Sequence, residues 1–206
     1  MVVNIDMDRI VIATHNKGKV REIRRLLHDM PFEIVSLDEI GYDIYVEEDQ
    51  LTFEGNAVKK AIETMKYTGE IAIADDSGLE VCYLNGQPGV YSARYAGNDA
   101  TDEENMAKLL RELEGVPQRA RHAVFKCSIV MVYPHGRILK AEGICEGRIG
   151  FTPKGSRGFG YDPIFVIDDR GTTFAQLEPD KKNKLSHRGK ALRQLKSLLE
   201  EIYKES

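Results

Sequence analysis

Chemistry in this chain is concentrated in a few short stretches. Asp75-Asp76-Ser77-Gly78 places two adjacent carboxylates, a hydroxyl and a glycine after Ile71-Ala72-Ile73-Ala74, an apolar run of strand character. Side chains alternate along a strand, so the two acids should point to opposite sides, one serving the scaffold and the other chemistry. Acids at the carboxyl end of a buried strand suit a general base or a metal ion. Gly78 is expected to turn the chain sharply. An Asp-Ser-Gly cluster is also ordinary turn chemistry, and this segment alone leaves both readings open. Glu47-Glu48-Asp49 is a second acidic site. By itself it reads as a solvated loop; beside the first it becomes a metal partner, because magnesium takes few carboxylates and keeps several waters.

Positive charge is clustered as well. Thr14-His15-Asn16-Lys17-Gly18-Lys19 lies between a strand pattern and a helix pattern. Backbone N–H groups at a helix start, with lysine charge, suit a phosphate, although the first glycine of a Walker A loop is missing and Val20 replaces its Ser/Thr. A plain strand–helix connection is the competing reading. Near the C-terminus, Lys182, His187 and Arg188 offer hydrogen-bond donors, the last two in the first turn of a helix, where basic residues oppose the helix dipole. Between these regions, residues 147–162 hold five glycines and end in Gly158-Phe159-Gly160-Tyr161-Asp162-Pro163. An aromatic flanked by glycines can present its face to a flat base, and it can equally anchor a loop.

The elements that must position these residues follow from periodicity. Strands are expected at 9–14, 32–37, 71–74 continuing at 79–84, and 164–167. Residues 121–133 and 137–149 read as a hairpin around Pro134-His135-Gly136. Helices are expected from Val20 to Met30, over 51–67 with Lys59 and Lys60, and over 101–114, opened by a Thr101/Glu104 capping box. Ser186 is the expected N-cap of the last helix. Tyr91 to Tyr95 reads as surface packing or an oligomer contact, and His122 and His135 as structural.

At 206 residues, 42% hydrophobic and 30% charged, the chain fits one large globular domain, residues 1–206, or two small lobes sharing a core. A net charge of -4 argues against a protein that coats a nucleic-acid polymer by charge alone, while leaving room for a local basic pocket. Cys82, Cys127 and Cys145 fit neither a disulfide framework nor a zinc pattern, and read as buried thiols in a reducing cytosol, so a cytoplasmic location is expected. No apolar run approaches the ~18 residues of a membrane helix, and the first eight residues do not suggest a signal peptide.

Taken together, the phosphate loop, paired acids, Gly-flanked aromatic and donor cluster describe a pocket for a purine nucleotide with magnesium on its phosphates. Thr14-His15-Asn16-Lys17-Gly18-Lys19, Asp75-Asp76-Ser77-Gly78-Leu79, Phe159-Gly160-Tyr161-Asp162-Pro163 and Ser186-His187-Arg188-Gly189 also resemble, in family order, the signature segments of the inosine triphosphate pyrophosphatases, or dITP/XTP diphosphatases. The resemblance runs from about Ile10 to the last helix. It implies an α/β fold with a long mixed sheet flanked by helices, in one domain of two lobes with the active site in the cleft between them. It further implies a magnesium-dependent hydrolase, usually a homodimer, that cleanses the nucleotide pool by converting ITP, dITP and XTP to the monophosphate and pyrophosphate.

By the same resemblance, Thr14, His15, Asn16, Lys17, Gly18 and Lys19 would bind the triphosphate, with Ser77 beside the substrate. Asp76 would be general base and metal ligand, with Glu47 or Glu48 completing the metal site; the alternation of the two acids leaves Asp75 to hold the strand end. Lys60 would neutralise phosphate, while Phe159, Gly160, Tyr161, Asp162, Lys182, His187 and Arg188 would form the base pocket. The family's usual Glu-Asn-Ala is here Gly55-Asn56-Ala57, so Glu54 or Glu48 would have to supply what that glutamate contributes. The alternative from another class is a silent protein that binds or senses oxopurine nucleotides.

Overall fold

The structure, a computed structural model, describes residues 8–204. All but the last of the eight N-terminal residues read above for a leader lie outside the described residues. Six strands form one mixed sheet: β1 (Arg9–Ile12), β2 (Glu33–Ser36), β3 (Ile71–Val81), β4 (His122–Val132), β5 (Ile138–Ile149) and β6 (Phe165–Val166), in the order β2-β1-β3-β4-β5-β6. β1 runs parallel to β2 and β3, whereas β6 pairs antiparallel with β5. The helices are α1 (Lys17–Leu27), α2 (Phe53–Thr68), α3 (Asp102–Glu112), α4 (Pro179–Leu185) and α5 (His187–Lys204). None of them is long and apolar enough to cross a membrane.

The described chain divides into two compact units, and β3, β4 and β5 each contribute to both. The first comprises residues 8–76, 128–141 and 192–204. Its strand β1 parallels β3 with Ile10, Val11 and Ile12 opposite Ile71, Ala72 and Ile73, and all but Ile71 of these six are fully buried. Side chains with no exposed partner face explain why these runs are continuous rather than alternating. Ala57 and Ala61 of α2 pack with Ala13, Ala74, Val130 and Val132, small residues that let the helix lie close to the sheet. Thr52 caps α2 by accepting from the Gly55 N–H, and Gly69 ends it with φ 74°.

The second unit comprises residues 77–127 and 142–191. Its core joins Leu79, Met106, Leu109, Phe125, Phe165 and Phe174. Phe125, Phe165 and Phe174 meet with ring centroids 4.5–6.0 Å apart. β5 alternates exposed and buried residues over most of its length, as a strand with one wet face should. Gly143 lies on its buried side, where an added Cβ would stand 2.0 Å from the His187 carbonyl oxygen. Only a glycine lets the first turn of α5 reach the strand.

Several expectations are corrected. β3 does not turn at Gly78 but runs through the paired acids for eleven residues to Val81, and the chain then enters a 3-10 turn at Cys82–Leu84. The acids can stay in mid-strand because lysines on two helices meet them, as described below. The last expected strand shrinks to Phe165–Val166. α4 was not expected: Pro179 occupies its first turn, where a missing N–H is harmless, but its lysine-rich sequence shows no apolar period. Finally, Cys82 is exposed, with its sulfur 3.4 Å from His122 Nδ1, whereas Cys127 and Cys145 are buried as read.

Candidate active site

The first unit gathers the acids and lysines. Asp75 and Asp76, neighbours on β3, meet different helices, as alternation requires. Lys19 on α1 lies 3.2 Å from Asp75 Oδ1. Lys60 on α2 reaches three oxygens: Glu48 Oε1 at 2.5 Å, the Asp75 carbonyl at 2.7 Å and Asp76 Oδ1 at 3.6 Å. Asp76, 4% exposed, also accepts from Asn56 Nδ2 at 2.9 Å. Burial pushes the Asp76 carboxyl above the ordinary carboxylate range; Lys60 and Lys19 pull it down, Glu48 pushes it up, and the Asn56 hydrogen bond pulls it down. Burial would lower the Lys60 ammonium, but Asp76, Glu48 and Asp75 outweigh it and leave it raised.

Glu48 and Asp76 therefore feel one another through a shared cation. Two carboxylates held by a single ammonium are a donor set that a hard divalent ion can use, with phosphate oxygens and water completing its shell. Among the described residues, no three His, Cys, Asp or Glu side chains are grouped to hold a metal by themselves. Glu47 is exposed, on the neighbouring position of the same segment. Glu54 pairs with Lys140, so the acid that meets Lys60 is Glu48. Gly55 itself is closely packed: a Cβ there would come 2.9 Å from Gln50 Cβ.

The lysine loop is ordered by its own side chains. Asn16 caps α1, its Oδ1 accepting from the Gly18 and Lys19 N–H groups, and Thr14 Oγ1 accepts from the Asn16 N–H. Two helix-start donors are thus engaged by the cap, and the loop's charge is carried by Lys17 and Lys19. His15 turns to the chain after β2, with Nδ1 2.6 Å from Asp38 Oδ1 and Nε2 3.3 Å from the Ile44 carbonyl. The hydrogen bond to Asp38 raises the imidazole above its ordinary value, against the opposing effect of burial.

The second unit gathers the aromatic and the donors. Arg188, 2% exposed, donates from Nη2 to Ser77 Oγ at 2.7 Å. Its guanidinium carbon lies 5.4 Å from the Phe159 ring centre, and Lys182 Nζ lies 4.9 Å from the same centre. Asp162 organises this turn: Oδ2 accepts from the Phe159 N–H at 3.0 Å and from Lys182 Nζ at 2.6 Å. Gly158 has φ +81°, and a Cβ there would fall 2.0 Å from that same oxygen. Gly160 donates its N–H to Asp102 at the start of α3, and the buried Tyr161 hydroxyl donates to the Ser92 carbonyl at 2.8 Å.

His187 stacks on Phe125 with centroids 4.5 Å apart and planes 10° apart. Ser186 caps α5 as expected, accepting from the Gly189 N–H at 3.1 Å. Gly189 itself has no room for a side chain, since a Cβ would meet the Asn183 carbonyl oxygen at 1.7 Å. The Ser-His-Arg-Gly run is therefore a cap, a stacked ring, a buried guanidinium and a packing glycine.

The structure thus brings Lys60, Glu48 and Asp76 together in one unit, and Ser77, Phe159, Asp162, Lys182 and Arg188 in the other. Sequence reasoning missed Asn56, which is fully buried and bonded to Asp76. The available signal was an amide on the apolar face of α2, next to Ala57, where a helix interior offers it no advantage.

Comparison with known proteins supplies the relationship. The Ham1 family matches residues 10–198. A dITP/XTP pyrophosphatase of Desulforamulus reducens is 52% identical over 195 residues, covering 95% of this chain and 97% of that protein. The dITP/XTP pyrophosphatase of Bacillus licheniformis is 49% identical and covers 95% of this chain and 100% of its own. Among solved structures, a HAM1 protein from Coxiella burnetii superposes with a TM-score of 0.85 at 42% identity, over 95% of this chain and 100% of that one. The chain belongs to the Ham1 family.

Proposed function

We infer that this chain hydrolyses dITP and XTP, and by the same chemistry ITP, to the nucleoside monophosphate and pyrophosphate. The observation that carries the reading is the convergence of Glu48 and Asp76 on Lys60, in a chain about half identical to proteins named dITP/XTP pyrophosphatase. A protein that only bound nucleotides would gain little from paired carboxylates beside phosphates.

Asp76 is the general base that takes the proton of the attacking water at the α-phosphorus, a role suited to a carboxylate whose proton affinity burial has raised. Glu48 and Asp76, with Glu47 adjacent, are the residues that would hold magnesium. Bound there, magnesium would neutralise phosphate charge and polarise the phosphorus centre. Lys19 and Lys60 stabilise charge on the departing pyrophosphate, and the Thr14–Lys19 loop orients the triphosphate.

The second cluster is suited to read a purine base. Phe159 offers a stacking face, while Arg188, Lys182 and His187 supply donors that suit a 6-oxo acceptor. Adenine presents a donor at that position and would leave the arginine unpaired. Asp162 serves the pocket by holding Phe159 and Lys182. A homodimer is the expected assembly.

The test is phosphate release from dITP with magnesium, with and without added inorganic pyrophosphatase. Phosphate should appear only when that auxiliary enzyme is present. No release at micromolar protein would leave a binding protein.

A further inference from the structure

Asn56 makes two side-chain hydrogen bonds, and each ends on an element that carries one of the paired acids. Its Nδ2 donates to Asp76 Oδ2 at 2.9 Å, and its Oδ1 accepts from the Gln50 N–H at 2.9 Å. The side chain is fully buried. Its orientation is forced: a backbone N–H can only meet the oxygen, which leaves the NH₂ group for the carboxylate. Gln50 stands two residues beyond Glu48, so the second bond ties down the extended segment that delivers Glu48 to Lys60. The first bond restrains the rotation of the Asp76 carboxyl and keeps Oδ1 as the oxygen facing Lys60. α2 supplies the rigid base for all of this, since Thr52 caps it and Lys60 lies one turn beyond Asn56.

We propose that Asn56 is a positioning residue, whose planar amide sets the Asp76 carboxylate and the Glu48 segment in fixed register for catalysis. The proposal rests on the reading of Asp76 as the base. The charged groups facing that carboxylate are Lys60 from α2, Lys19 from α1 and Glu48 from the 46–50 segment. None of them can replace the amide, because the lysines cannot accept from Gln50 and the glutamate cannot donate to Asp76.

Two substitutions separate this role from mere packing. Asn56→Asp keeps an oxygen for the Gln50 N–H but faces Asp76 with a second carboxylate oxygen, so the two must share a proton or move apart. Asn56→Ser is too short to span both partners. Thermal melts establish the folded fraction of each variant. For folded Asn56→Asp with saturating magnesium, kcat on dITP should fall at least about tenfold while KM stays within about twofold, the signature of lost alignment rather than lost binding. In protein without nucleotide, Mn2+ binding followed by electron paramagnetic resonance should weaken at least about fivefold in Asn56→Ser. If Asn56→Ser does not fold, the kcat–KM split of Asn56→Asp decides. Wild-type kcat per folded molecule, or kcat and KM changing in parallel, would overturn the proposal. A wild-type protein without dITP turnover would instead remove the functional reading, and the Mn2+ measurement would still decide whether Asn56 orders the acids.

Discussion

Arg188 Nη2 donates to Ser77 Oγ over 2.7 Å, joining residues 111 positions apart in the chain. Ser77 directly follows Asp76, so the donor proposed to read the base is bonded to the residue beside the proposed base catalyst. Arg188→Ala removes a charged hydrogen bond, an interaction of about 1.5–3 kcal/mol. The ratio of kcat/KM for dITP over dATP should narrow by about tenfold or more. An unchanged ratio would move discrimination away from Arg188.

Asp76→Asn keeps the shape of the side chain and removes its capacity to take a proton. Turnover of dITP should fall at least about 100-fold, in the range of a lost general base. Nucleotide binding, measured by calorimetry, should persist. If the variant hydrolysed dITP at the normal rate, Asp76 would not be the base.

Lys60→Met tests the shared cation. The methionine fills the lysine's volume but leaves Asp76 and Glu48 facing one another without it. Breaking a buried pair by deleting one partner costs about 3 kcal/mol or more, so the metal-free protein should melt several degrees lower. Raising magnesium should recover part of that loss if the acids then bind the ion. A variant as stable as wild type in chelator would show that Lys60 does not neutralise the pair.

The His15–Asp38 pair gives a pH dependence of defined sign. Folding raises the imidazole above its ordinary 6.5 through the hydrogen bond to Asp38. Its contribution to stability is thus fully present below 6.5 and declines as pH rises through the higher folded value. Both side chains are about half exposed, so the effect is small. The gap in melting temperature between wild type and His15→Gln should be widest near about pH 5.5 and narrow by about pH 9. A gap that widened with pH would contradict the pairing.

Elements with a clear period were legible in the sequence. The α2 helix, the β4–β5 hairpin and the Ser186 cap all lie where the residues suggested, because each depends on near neighbours. Features that depend on distant partners were not. The uninterrupted course of β3 was hidden because Asp-Asp-Ser-Gly looks like a turn until Lys19 and Lys60 arrive from α1 and α2 to meet the acids. Likewise, nothing near His15 in the chain pointed to Asp38 and Ile44 as the partners of its two ring nitrogens. Asn56 was invisible because its two partners, Gln50 and Asp76, define its role only once α2 is folded. The glycines show the same limit: composition marked a close approach, but only the structure names the Asp162 carboxylate that Gly158 must clear.

Attack at the α-phosphorus of an oxopurine nucleoside triphosphate is measured most directly by a side-by-side rate panel of dITP, XTP and dATP, with products resolved by anion exchange. The predicted result is monophosphate and pyrophosphate in equal amounts, with kcat/KM for dITP and XTP at least about 100-fold above dATP. Diphosphate with inorganic phosphate, or equal rates on dATP, would contradict it.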